Sequence, residues 1–409
     1  MALVIRKVRL LDGSGPTNVL LEHGLVAAVG ADTDGAVTSV DGTGCVVLPG
    51  LVDAHLHLDK AFLWDDPLVH GTSRGEAFAA FRKRKADSQK PEIKARMLRA
   101  LRLASQHGVT ALRAQVDVDE QVGLLPINAA LELRAECADW ITVQVVAFPQ
   151  EGLLSQPGVL PLVRLALARG ADAVGGGAGL DSGVPAADHL HAVFDLAHEF
   201  NVEVDLHPDI TSGPDRQAAD WELADIARLT QSTGWERRVA VAHLSGVGAM
   251  PAESAHTLAN LLRDHGISVV TVPGAEFHAA AAWRHPPVHD VRRAITNVPL
   301  LLAAGVNVCM ATGHVRDPLN PFGQANPLAD LLLLLGAVSL GEPTISGVPA
   351  VDLITAAPRR ALGLPDLWVN VGEPADLVVV ETAEPEAIPR GIEHVRYVLK
   401  SGRVVWPAS

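Results

Sequence analysis

Apolar and polar positions alternate in short runs over the first part of the chain. LVIRKVRLL, NVLLEHGLVAAVG and VTSVDGTGCVVLPG read as strands separated by turn residues, and ADLVVVE, HVRYVLKSG and RVVWP repeat that texture near the far end. Two strand-rich ends around a different middle predict one small β-sandwich built from residues 1–49 and 367–409. Across residues 50–366 the period changes, and apolar runs alternate with helical stretches of about a dozen residues, the pattern of parallel βαβ units. The runs are VDAHLHLD, VTALRAQVDVD, ITVQVVAFPQ, ADAVGGGAG, VEVDLHPD, RVAVAHLSG, ISVVTVPG and VNVCMATGH. Eight such strands predict an α/β fold, a (β/α)8 barrel with its reactive side chains at the C-terminal strand ends. A doubly wound open sheet is the alternative. Its fingerprint is missing, because GGGAG after Val174 is not G-x-G-x-x-G opening a helix.

Composition narrows the function classes. The chain has 409 residues, enough for one large barrel and an attached small domain. Its 33 Lys+Arg stand against 47 Asp+Glu, a net charge of −14, and no basic tract is longer than Arg82 to Lys85. A nucleic-acid partner is therefore not expected, since phosphates call for a cationic face. At 48 % hydrophobic and 20 % charged residues the chain can bury a large core, which excludes disorder. Cys45, Cys137 and Cys309 each sit in an apolar run and read as buried free thiols, without a disulfide framework or a Cys-rich zinc site. Arg6, Lys7 and Arg9 fall inside the first strand pattern rather than ahead of a secretory apolar segment, and no run of about 18 apolar residues occurs. The expectation is a cytoplasmic protein with a small-molecule substrate and no membrane partner, with a homo-oligomer left open.

Candidate chemistry gathers at the strand ends. His55 and His57 are two apart on one strand, so both imidazoles point to the same face. The fifth run ends in His207 and the sixth in His243, and four histidines at one rim suit a borderline divalent metal rather than magnesium. Alternation also turns Gln115 toward the barrel mouth. Lys60 reads as an ion-pair partner in the first loop. The segment after the seventh run, with Glu276, His278, Trp283, Arg284, His285 and His289, is rich in groups that suit an anionic or planar substrate, Trp283 and Arg284 foremost.

PGLVDAHLHLDKAF, from Pro49 to Phe62, resembles the first-strand motif of the amidohydrolase superfamily. AFPQEG (Ala147 to Gly152), VDLHPD (Val204 to Asp209), VAHLSG (Val241 to Gly246) and VRDPLNPFG (Val315 to Gly323) resemble its cytosine-deaminase branch. The resemblance implies one divalent metal, zinc or iron, with His55, His57 and His207 among its ligands. It also implies that His243 faces the attacking water or the developing oxyanion and that Gln150 reads the substrate's heterocycle. Two-metal members carry a modified lysine on the fourth strand; here Ala171-Asp172-Ala173-Val174-Gly175 has none.

Two positions depart from the branch. Its H-x-D-E segment, with glutamate as proton shuttle, reads His207-Pro208-Asp209-Ile210, and its eighth-strand aspartate falls on Gly313. Hydrolysis needs a group that takes a proton from water and delivers it to the leaving nitrogen. Asp209, two residues after His207, is the surviving carboxylate in position to do so, and Ile210 would press an apolar side chain on the substrate. His314 is a candidate fourth ligand if the chain bends at Gly313, since unbroken alternation turns it the other way. Asp317 and Arg316 read as a brace of that loop. The leading expectation is a metal-dependent hydrolase of a C–N bond in a small nitrogen heterocycle or cyclic amide. The two departures keep two alternatives open: a non-hydrolytic cyclisation, condensation or lyase step on the same scaffold, and a non-catalytic binding protein.

Overall fold

The computed structural model describes residues 2–30, 38–70, 74–208, 217–282, 295–338, 348–390 and 394–407. Parallel strands occupy all the predicted apolar runs: Leu51–His57, Val109–Asp117, Thr142–Phe148, Ala173–Gly176, Glu203–Leu206, Val239–Ala242, Ser268–Thr271 and Val308–Met310. Each pairs with its neighbours in sequence, and the first meets the eighth through Leu56 and Gly313. At that seam the His57 N–H donates to Gly313 O (2.8 Å) and the Gly313 N–H donates to His55 O (2.9 Å). The sheet is therefore a (β/α)8 barrel, not an open doubly wound sheet.

The helices cover its outer face with apolar stripes. In Ala186–Phe200, Leu190, Val193, Phe194 and Ala197 repeat at i, i+3, i+4 and i+7 and are buried, and Asn201 ends the helix in a left-handed conformation. Among the described residues no helix is long and apolar enough to cross a membrane.

Strands from both ends of the chain share one further sheet, in the order Arg403–Trp406, Val395–Lys400, Leu377–Val380, Val46–Pro49, Leu3–Leu10, Thr17–Glu22, Leu25–Val29, with Thr38–Asp41 beside Leu3–Leu10. Period-2 alternation lets this sheet serve two cores. Leu377 and Val379 face the small domain's interior, whereas Val378 and Val380 pack with the barrel's.

Inside the barrel the same alternation builds polar layers. Asp53, His55 and His57 point inward from the first strand, Arg113, Gln115 and Asp117 from the second, and Asp205 leads to His207 from the fifth; all are buried. The lower layer is a plug. Arg113 donates to Gln144 Oε1 (3.0 and 2.8 Å) and to Asp205 Oδ2 (3.3 Å), and it also pairs with Glu203. Asp53 ties the first strand to the eighth by accepting from the Thr312 N–H (3.2 Å) and hydroxyl (2.5 Å). The histidines stand above this plug.

Candidate active site

His55 and His57 end the first strand, His207 follows the fifth and His243 follows the sixth, and one ligand atom from each lies within 4.8 Å of all the others. His55, His57 and His207 are buried and His243 is half-buried. The Nε2 atoms of His55 and His207 face each other at 3.1 Å. Burial holds His57 and His207 well below the ordinary histidine range, with Lys60 the next cause at His57 and His55 the next at His207. A neutral imidazole keeps a lone pair, so this is a donor set of the kind that zinc or iron takes.

The second ring nitrogens support that reading. His55 Nδ1 lies 3.2 Å from the Gln115 side-chain amide and 3.7 Å from Asp205 Oδ1. Gln115 Oε1 and Asp205 Oδ1 are both buried and have no other partner among the described residues. With the amide turned so that Oε1 faces the ring, His55 Nδ1–H has an acceptor and Nε2 is free to ligate. His207 Nδ1 has no hydrogen-bond partner among the described residues. Its ring is instead set by Phe148, whose centroid is 4.5 Å away.

Lys60 is the ion-pair partner that the sequence suggests, within a buried network. Its Nζ lies 2.7 Å from Asp117 Oδ1, 3.6 Å from Asp59 Oδ1 and 3.2 Å from His57 Nδ1. Lys85 reaches Asp117 Oδ2 at 2.5 Å and also pairs with Asp119. Two cations thus share one carboxylate directly behind a candidate ligand. Burial is the largest influence and opposes both lysines' charge, yet Asp117 together with Asp59 at Lys60, and with Asp119 at Lys85, outweighs it and raises both above their ordinary values.

The third and fourth strands decide how much room remains. A Cβ on Gly175 would come within 2.8 Å of the Phe148 ring. The fourth strand therefore offers no side chain to bridge a second ion, and Phe148 fills the space. Gln150, two residues beyond Phe148, is buried, and its Oε1 has no partner among the described residues. Its loop is anchored by Asp181, whose Oδ1 accepts from the Leu154 N–H, the Ser155 N–H and the Ser155 hydroxyl, each at 2.9 Å. Buried His189 holds the other carboxylate oxygen at 2.5 Å.

At the eighth strand the chain does bend. Gly313 has φ +70°, and the turn brings the His314 ring onto His57 in a stack of 4.7 Å and 10°. His314 Nδ1 lies 2.7 Å from Asp317 Oδ2. Asp317 braces the loop by accepting from the Leu319 and Asn320 N–H groups (2.8 and 3.1 Å), but Arg316 pairs with Asp65 instead (2.6 Å). A Cβ on Gly313 would sit 2.1 Å from Val272 Cγ1. Gly313→Asp should therefore cost about 2–4 kcal/mol of stability through the left-handed backbone and the clash. It should not tighten metal binding. Thermal unfolding with metal analysis checks this, and a stable variant with tighter metal would contradict it.

Asp209, Ile210, Trp283, Arg284, His285 and His289 lie outside the described residues. Glu276 turns inward, accepting from the Val272 and Thr296 N–H groups (3.1 and 3.0 Å), and so ties down its own loop. His278 is half-buried, and burial lowers its pKa. Phe148, Asp205, Asp117 and Lys85 were not candidates from the sequence. Only Asp205 and Asp117 left a signal there, as inward positions two before His207 and two after Gln115.

The pattern of the amidohydrolase family matches residues 38–406. Among curated proteins, the N-isopropylammelide isopropyl amidohydrolase of Pseudomonas sp. (strain ADP) is 27 % identical over 98 % of this chain and 96 % of its own length. A pterin deaminase of Rhizobium rhizogenes is 26 % identical over 88 % of this chain and 80 % of its own. Among solved structures, 5-methylcytosine deaminase from Klebsiella pneumoniae, liganded with 5-fluorocytosine, superposes with a TM-score of 0.88 at 26 % identity, covering 99 % of this chain and 97 % of that one. With the family pattern spanning the whole barrel and most of the terminal sheet, the chain belongs to the amidohydrolase family and is an enzyme of its hydrolase and deaminase type.

Proposed function

We propose that this protein hydrolyses a C–N bond of a small nitrogen heterocycle, using one divalent cation, zinc or iron, held by His55, His57 and His207. The observation that carries the proposal is the facing pair of buried Nε2 atoms, 3.1 Å apart, with His57 beside them at the barrel's C-terminal end. The named activities of the relatives, on ammelide, pterin and cytosine rings, supply the substrate class.

When bound, a divalent ion supplies Lewis acidity that brings the pKa of an attacking water toward 7 and stabilises negative charge on the attacked carbon's substituents. The remaining work belongs to the chain. His243 is the fourth imidazole of the cluster and is only half-buried, so we assign it the proton of the attacking water or the hydrogen bond to the developing oxyanion. Asp209 is assigned delivery of a proton to the leaving nitrogen, in place of the glutamate that the branch carries one residue later. Gln150, with an amide oxygen that has no donor among the described residues, suits recognition of a ring N–H, and Gln115 holds His55. Ile210, Trp283 and Arg284 are assigned to substrate contact on sequence alone. Lys60, fixed by Asp117, faces His57 and disfavours its protonation.

The test is direct assay of ammonia or amine release from substituted triazines, pterins and pyrimidines. At least one ring class should turn over, and unsubstituted cytosine should give rates near background, because Ile210 stands where the cytosine-deaminase branch places its glutamate and Asp209 would deliver its proton from a different position. No release from any member of the panel by protein carrying a full metal complement would contradict the proposal.

A further inference from the structure

A groove of ≈ 870 Å³ runs along the outer wall of the barrel, between helix Lys90–Gln106 and the loop from Arg316 to Gln324. It is separate from the histidine cluster, and the candidate chemistry described above makes no use of it. Its walls present three guanidinium groups, those of Arg99, Arg102 and Arg316. Among the described residues one carboxylate pairs with them, Asp65, which takes both Arg99 (2.9 Å) and Arg316 (2.6 Å). Arg102 has no ion pair among the described residues. The nearby Glu92 is already committed to Arg84 and Arg96, and Asp66 to Arg84. A local excess of positive charge thus persists in a chain whose net charge is −14.

Two of the three arginines, Arg99 and Arg316, are also held in place. Arg99 lies over the Phe62 ring at 3.7 Å, and a shared carboxylate fixes it relative to Arg316. Phe62 and Arg316 both have left-handed backbones, at φ +62° and +47°. That conformation is costly for bulky residues and persists only where the surroundings impose it. Beside these charges Phe322 is 81 % exposed, an apolar ring left in water at the groove's edge.

We propose that this groove is a second ligand site, for a small molecule that carries a diphosphate or two neighbouring phosphates on a planar ring. Arginine forks match phosphate oxygens, and the ring would lie against Phe322. Calorimetric titration of the full-length protein with pyrophosphate, adenosine diphosphate and adenosine tests the proposal. The nucleotide should bind with a Kd below about 1 mM and about tenfold more tightly than pyrophosphate, and adenosine should not bind. Arg102→Gln, at an exposed and unpaired position, should weaken both anions at least about tenfold. Phe322→Ala should weaken the nucleotide alone. The His55→Ala, His57→Ala double variant should bind both as the parent does, which separates this site from anion capture at the metal. Three results would overturn the proposal: no heat with either anion, binding unchanged in Arg102→Gln, or sedimentation showing a self-associated chain that Phe322→Ala dissociates, which would mean that a second copy covers the groove.

Discussion

Asp117→Asn should lower stability by about 3–5 kcal/mol, because it leaves the buried ammonium groups of Lys60 and Lys85 without the carboxylate they share. The melting temperature should fall by about 3–6 °C. Asp59→Asn should behave differently although it lies in the same network. Asp59 is pushed up to about 6, first by burial and then by Asp117, against 3.8 ordinarily. The folded chain therefore holds that proton more tightly than the unfolded chain. The stability this group contributes is fully present below about pH 4 and is lost as the pH rises through about 6. At pH 7 its negative charge is a cost. An asparagine that still accepts from the Asp117 N–H should be within about 1 kcal/mol of the parent and should remove that part of the pH dependence. Equal losses in the two variants, measured by denaturant unfolding at pH 5 and 7, would contradict the assignment.

His243→Asn should lower kcat/KM on the best substrate by about 10²- to 10⁴-fold, the usual cost of removing a general acid or base. Metal content should stay unchanged. His243 has φ +60°, a conformation that asparagine tolerates better than alanine, so the fold should survive this change. The pairing of readouts separates two roles that the histidine cluster allows. If His243 faces the attacking water, rate falls and metal stays; loss of the ion along with the rate would make it a ligand and contradict the role assigned here.

The barrel is legible in the sequence because each strand is an apolar run bounded by polar residues, and every run carries a strand. The histidines are legible for a related reason. Period-2 alternation puts His55 and His57 on one face whatever the tertiary detail, and His207 and His243 each directly follow a strand. What alternation cannot carry is contact between elements. Lys85 lies 32 residues before Asp117 and meets it only because its helix folds back over the second strand. Phe148 reaches His207 because Gly175, on the neighbouring strand, has no side chain in the way. His314 faces His57 through one left-handed glycine, and a single φ sign is not a property of hydrophobic pattern.

Gly313 shows how a resemblance and a structure can inform each other. Beside the branch's aspartate, the glycine reads as a lost ligand. In the fold it is also the residue that closes the barrel, with both backbone groups bonded to the first strand and Val272 packed where a Cβ would go. A cation here would rest on neutral imidazoles without that carboxylate, and so should be bound more weakly than in relatives that keep it.

Metal content measured on protein purified without chelator, in the parent and in the His55→Ala, His57→Ala double variant, tests the central claim most directly. The parent should hold about one zinc or iron ion per chain, and the double variant, with an unchanged circular dichroism spectrum, should hold almost none. A parent without metal, or a folded double variant with the parent's metal content, would contradict it.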